Sequence, residues 1–271
     1  MSAPSGRTAP AGGPARSAVG ADMNRPLLQL QGVHTHIGAY HILHGVDLEV
    51  PAGSVTVLLG RNGAGKTTTL RTIMGLWRAS SGRIAFDKHT LANAGVGLGT
   101  PEIALLGIAY VPENMGIFAD LTVRENLLLA ARHARSIEQL DMKRLDWLMR
   151  LFPALKKFWL YPAGKLSGGQ KQMLAIARAM IEPRRMLLID EPSKGLAPVI
   201  VGNLIEALRE LKATQTTVLL VEQNFTVARA LGDWVAVMDD GRIVHRGPMK
   251  ELVQDEARQQ SLLGLSLGAA A

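Results

Sequence analysis

Val55-Thr56-Val57-Leu58-Leu59-Gly60-Arg61-Asn62-Gly63-Ala64-Gly65-Lys66-Thr67-Thr68 is an apolar run, then a glycine-rich turn, then the opening of a helical pattern. Gly60 to Thr67 match the P-loop pattern, and the run Ser54 to Leu59 before it and the helix beginning near Lys66 supply the strand-turn-helix context its chemistry needs. Glycines let successive backbone N–H groups turn toward phosphate oxygens, and the helix N-terminus adds positive potential. In this reading Lys66 reaches the β and γ phosphates, Thr67 ligates magnesium, and Gly60, Asn62, Gly63, Ala64, Gly65 and Thr68 complete the cradle. A glycine-rich turn of no function is the competing reading, and it leaves the flanking strand and helix unexplained.

Outward from this turn, Met186-Leu187-Leu188-Ile189-Asp190-Glu191 is a second apolar strand, ending in two carboxylates. It would deliver Asp190 to the magnesium shell beside the P-loop and place Glu191 one residue nearer the γ-phosphate as general base. Alone, such a strand end would be read as a helix cap. Thr217 to Val221 is a third continuous apolar run. Strands of this kind are covered on both faces, and alternation with helical periodicity predicts an α/β sheet.

Between about Thr122 and Gln170 the β-like runs vanish, and Thr122-Val123-Arg124-Glu125 forms a capping box ahead of a helix expected over Asn126 to His133. A helical insert over about residues 114–180 therefore interrupts the core. Ser167 is placed as N-cap of a helix running through Lys171 to Met180, and Gly168 and Gly169 expose N–H groups to an anion. Trp234 to Met238, the turn Asp239-Asp240-Gly241 and Arg242 to His245 read as a hairpin followed by a last helix. Ala104 to Val111 reads as strand-length.

A chain of 271 residues with 47% hydrophobic composition can bury a large core. No stretch approaches the roughly 20 apolar residues of a membrane-spanning helix. With no cysteine, disulfides, thiolate metal sites and cysteine nucleophiles are excluded. The net charge of +7 is spread along the chain, which suits a solvated basic surface better than a nucleic-acid footprint. Residues 1–24, rich in Ala, Gly, Pro and Ser, read as a disordered tail without a signal-peptide core, and Met23 is placed where a downstream start would stand. One domain is expected over 25–267, with a short tail at 268–271.

The Leu166-Ser167-Gly168-Gly169-Gln170 stretch, 20 residues before Asp190, resembles the signature of the ABC ATPases, and the order of motifs is that family's. The resemblance spans Leu27 to about Gly264. It implies a RecA-like P-loop core with an antiparallel β subdomain and an inserted α-helical subdomain, and it implies ATP and magnesium as ligands. It also implies a head-to-tail dimer in which Ser167, Gly168, Gly169 and Gln170 address the ATP held in the partner's P-loop. Ser193-Lys194-Gly195-Leu196 resembles the family's D-loop at that interface.

Three positions depart from the general pattern. Glu113 stands where the family has a glutamine; it keeps an oxygen acceptor for magnesium or attacking water, and the alternative is an ordinary exposed loop acid. Gln223 replaces the switch histidine, so it can hydrogen-bond a phosphate or water but cannot titrate near neutral pH. Ile37-Gly38 stands where an aromatic would stack on adenine, leaving Tyr40 as the nearby aromatic, with a half-buried strand-edge role as its alternative. His34, His36, His41 and His44 crowd the same segment without a carboxylate set, and a metal site is not expected there.

Val111-Pro112-Glu113, Leu196-Ala197-Pro198 and Val221-Glu222-Gln223-Asn224 resemble the LivF-type ATPases of branched-chain amino-acid importers. That likeness implies a LivG-type second ATPase or a homodimer, two transmembrane permease subunits, an indirect solute-binding protein, no nucleic acid, and a peripheral place on the cytoplasmic face of the cell membrane. A soluble nucleotide switch not coupled to transport and a weakly hydrolysing regulatory subunit remain as rival readings.

Overall fold

The computed structural model describes residues 26–264; the tails expected at 1–24 and 268–271 lie outside the described residues. In chain order the elements are β1 Pro26–Ile37, β2 Tyr40–Pro51, β3 Val55–Leu59, α1 Lys66–Ile73, β4 Ala79–Phe86, β5 His89–Asn93, β6 Val96–Gly97, α2 Thr100–Leu105 and β7 Ile108–Val111. There follow α3 Val123–Ala130, α4 Met142–Leu151, α5 Pro153–Lys157, α6 Gly168–Met180 and β8 Met186–Asp190. The chain continues through α7 Pro198–Ala213, β9 Thr217–Glu222, α8 Phe225–Leu231, β10 Trp234–Asp239, β11 Arg242–Pro248, α9 Met249–Gln254 and α10 Glu256–Leu263.

The strands form two sheets. The core sheet has the order β11-β10-β3-β9-β8-β7, parallel except for the β10–β11 hairpin at one edge. Every residue of β3, β8 and β9 is buried, which is why these strands read as continuous apolar runs with no alternation. The pairings Leu59 with Glu222, Asp190 with Val221 and Val111 with Ile189 bring the carboxyl ends of β3, β9, β8 and β7 side by side. Ligands of open parallel sheets bind in the crevice outside those ends.

The second sheet, order β2-β1-β4-β5-β6, is antiparallel and larger than the N-terminal hairpin alone. Strands β4 to β6 and helix α2 escape a sequence reading because Ala79-Ser80-Ser81-Gly82 and the short β5 and β6 carry no clean period of two. Leu28, Leu30 and Ile84 of this sheet share a buried cluster with Leu70 and Ile73 of α1, so the sheet braces the helix that opens at Lys66.

Between β7 and β8 the chain is helical, as expected. Leu127, Leu148, Phe152, Leu155 and Leu174 from α3 to α6 are all essentially buried, and each contributes on the order of 2 kcal/mol. The Leu127 to Ala131 and Trp147 to Phe158 stretches are thus mostly the insert's own core, with Leu129 turned out. Three boundaries move. Helix α3 starts at Val123, because the Thr122–Glu125 capping box closes directly on it. Ala104 to Val111 is split between α2 and β7 by Gly107, at φ +95°. The last helix is two, α9 and α10, with Asp255 capping the second.

Candidate functional site

The turn after β3 ends at Gly65, whose φ of 104° lies in the left-handed region. A Cβ there would stand 3.0 Å from Leu43 Cδ2, so the position takes glycine on both counts. Lys66 is only 4% exposed, and a buried ammonium must be held. Its Nζ donates to the carbonyls of Gly60 at 2.8 Å and Arg61 at 2.9 Å and stands 3.4 Å from Glu191 Oε1. Asn62 and Gly63 remain exposed at the tip of the turn, Ala64 and Gly65 are buried, and Thr68 is half-buried on α1.

Asp190 at the end of β8 is fully buried. Thr67 Oγ1 donates to its Oδ1 at 3.1 Å and the Tyr110 hydroxyl to its Oδ2 at 3.1 Å. Burial pushes the Asp190 carboxyl above its ordinary range; these two hydrogen bonds oppose the shift and the nearby Glu191 and Glu113 charges add to it. A hydroxyl and a carboxylate converging in this way are the hard-oxygen donors that suit magnesium. Tyr110, on β7, is pushed up to about 12, first by burial and then by the Asp190 charge.

Glu191 has φ +47°, the left-handed region for a residue with a side chain, and its N–H donates to Val221 O at 2.9 Å. This turn lifts the carboxylate out of the strand and toward the P-loop. Gln223 Nε2 donates to Glu191 Oε1 and to Asn62 Oδ1, each at 2.5 Å, so the residue in the histidine's place touches both the general-base candidate and the cradle. Beneath it Glu222, buried, accepts from the N–H and hydroxyl of Ser193 and from the N–H groups of Gln223 and Asn224. Desolvation raises the Glu222 pKa, and its four hydrogen bonds oppose that.

Glu113 is 41% exposed but not solitary: Lys194 Nζ stands 2.6 Å from its Oε1. Sequence reasoning missed Tyr110, Lys194 and Glu222 as parts of this site. The signals were there only in part: Glu222 sits at an apolar strand's end, as Asp190 does, and Lys194 lies in the D-loop-like stretch Ser193-Lys194-Gly195-Leu196 without its contact to Glu113 being marked, whereas nothing local marks Tyr110.

The signature stands elsewhere. Ser167 caps α6, with Gln170 N donating to its hydroxyl and Gln170 Oε1 accepting from the Ser167 N–H at 2.9 Å. Ser167 and Gly168 are exposed, while Gly169 is buried against Ile200 of α7. Among the described residues no hydrogen bond or ion pair joins this helix start to the P-loop of the same chain. Tyr40 is 75% exposed opposite Ile37 at the β1–β2 turn, so it is not the half-buried edge residue of the alternative reading. The imidazoles of His36 and His44 each lie against His41 with centroids 4.1 Å apart, and His34 Nδ1 meets His41 Nε2 at 3.0 Å. They pack on one another; among the described residues no group of three or more metal-ligating side chains is arranged to hold an ion.

The ABC transporter family model matches residues 43–194. The chain is 38% identical over 238 residues to the high-affinity branched-chain amino acid transport ATP-binding protein BraG of Pseudomonas aeruginosa, covering 88% of this chain and 100% of that one. It is 35% identical to the probable branched-chain amino acid transport ATP-binding protein LivF of Archaeoglobus fulgidus, over 83% of this chain and 93% of the relative. Among solved structures, the ADP conformation of an ATP-binding cassette of an ABC transporter superposes with a TM-score of 0.74 at 25% identity, covering 89% of this chain and 100% of that one. A dimeric post-hydrolysis cassette bound to ADP and phosphate superposes with a TM-score of 0.71 at 25% identity, covering 82% and 98%.

Proposed function

Since the chain belongs to the ABC transporter family, we propose that it is the ATP-hydrolysing subunit of an importer for branched-chain amino acids or a related small polar solute. The observation that carries the reading is the convergence of Lys66, Asp190, Glu191 and Gln223 outside the ends of three neighbouring parallel strands. The amino-acid class follows the relatives BraG and LivF.

In this site the P-loop amides from Gly60 to Thr68 hold the phosphates, and Lys66 stabilises charge on the transferring phosphoryl group. Magnesium, when bound, would be held by Thr67 and Asp190 with Glu113 close by, and would neutralise phosphate charge. Glu191 orients the attacking water and takes its proton, and Gln223 steadies that carboxylate while offering its amide to water or the γ-phosphate. Tyr40 stacks on adenine, worth about 1–3 kcal/mol by analogy with bases stacked on aromatic side chains.

The hydrolysing unit is a pair of cassettes. Exposed Ser167 and Gly168, with Gly169 and Gln170 at the Ser167-capped helix start, address the γ-phosphate held by a LivG-type partner or a second copy. ATP then favours the closed pair and hydrolysis releases it, a population shift passed to two permease subunits. Among the described residues no helix is long and apolar enough to cross a membrane. In this reading, which rests on the likeness to BraG and LivF, the membrane path belongs to the permease subunits and the chain sits peripherally at the cytoplasmic face. Affinity isolation from native membranes at low detergent tests the reading. Two polytopic proteins and a second ATPase are expected; soluble proteins or nucleic acid alone would overturn the transport role and leave the ATPase role standing.

A further inference from the structure

Lys194 lies in the loop after β8, and its single ammonium serves two carboxylates: Glu113 Oε1 at 2.6 Å and Glu191 Oε2 at 3.5 Å. Those carboxylates come from different strands, Glu113 following β7 and Glu191 following β8, which pair in parallel. Glu191 follows Asp190 directly in the chain, Lys194 ties Glu113 to Glu191, and the charges of both carboxylates act on Asp190, which accepts from Thr67. Lys194 is 54% exposed and Glu113 41%, so the pair between them is a weak, exchangeable one and not a tie that holds the fold. Glu191, by contrast, keeps Lys66 and Gln223 whatever Lys194 does.

We infer that Lys194 is a positioning residue which holds Glu113 off the metal site and yields it to the divalent cation that enters with the nucleotide, so linking the loops after β7 and β8. A doubly charged hard cation takes a carboxylate oxygen more strongly than an exposed ammonium does, and both partners are exposed side chains, so the ammonium can leave and the carboxylate swing to the cation without moving the strands. The inference rests on the nucleotide reading above and adds to it a residue that competes with the metal for Glu113.

The test is the ratio of the ADP dissociation constant in EDTA to that in excess magnesium, by titration calorimetry on the full chain. Lys194→Met is expected to raise this ratio about three- to fivefold, since Glu113 is freed for the metal, and Lys194→Arg to keep it within about twofold of wild type. In a Glu113→Gln background the Lys194→Met change should shrink to less than about twofold. An unchanged ratio in Lys194→Met, or an equal rise in both backgrounds, would overturn the competition between lysine and metal. A wild-type chain that bound no ADP in either condition would sink the nucleotide reading and this inference together, whereas normal ADP binding with no Lys194 effect would sink this inference alone.

Discussion

Gln223 Nε2 lies 2.5 Å from Glu191 Oε1, which ties the residue after β9 to the residue after β8. The second hydrogen bond of the same amide, to Asn62, carries that tie to the P-loop. A neutral amide therefore does at this position the linking that an imidazole would do, with no protonation step of its own.

Gln223→Ala should lower kcat about tenfold while ATP binding stays within about twofold, since a water-orienting contact is lost and the phosphate cradle is not. Gln223→His should recover much of the rate and bring a new titration between about pH 5 and 8. Steady-state ATPase profiles across that range check both; a histidine variant with the wild-type profile would place residue 223 outside the reacting groups.

Glu191→Gln keeps the shape of the side chain and removes the base. Hydrolysis is expected to fall by about 10²–10⁴-fold with ATP still bound. Single-turnover assays beside equilibrium binding separate the two effects, and unchanged turnover would end the general-base assignment.

Tyr110→Phe removes the hydrogen bond to buried Asp190 and should cost about 1 kcal/mol at neutral pH. The folded pKa of Tyr110 is raised from 10.0 to about 12, so its contribution is fully present below the ordinary value and is lost as pH climbs through the raised one. In an absorbance titration of the 3 tyrosines, the last step, near 12, should vanish in Tyr110→Phe. A variant that retained that step would refute the placement of Tyr110 against Asp190.

Gly169→Ala puts a Cβ 2.4 Å from Ile200 Cγ2, a β-branched side chain with little freedom to turn away. The expected loss is about 1–3 kcal/mol from overpacking where α6 meets α7. Thermal unfolding should show it, and Ile200→Ala in the same chain should restore most of the lost stability; no recovery would point to a helix-start effect instead.

Much of the fold could be read along the chain because its signals are short-range. Val55 to Leu59, Met186 to Ile189 and Thr217 to Val221 are buried on both faces, so each strand declares itself as an unbroken run with no polar alternation, the carboxylates Asp190 and Glu222 standing at the ends of two of them. The capping box at Thr122 and the N-cap at Ser167 sit within four residues and were legible for the same reason; the reciprocal Gln170 bond that completes a box at Ser167 is seen in the structure. The sheet formed by β4 to β6 with the first two strands was not, because strands of two to eight residues with mixed polar faces look like loop until a partner pairs them.

What the amino-acid order determined by itself was the inventory: a cradle at Gly60 to Thr68, two carboxylates at a strand end, an amide in a histidine's place and a capped signature helix. What only the tertiary structure decided was which of these touch. Parallel strand order sets Gln223 against Glu191, Tyr110 against Asp190 and Lys194 across to Glu113, contacts between residues up to 81 apart along the chain. Such pairs depend on the register of neighbouring strands and on the left-handed turn at Glu191, and neither is written in any local stretch of sequence.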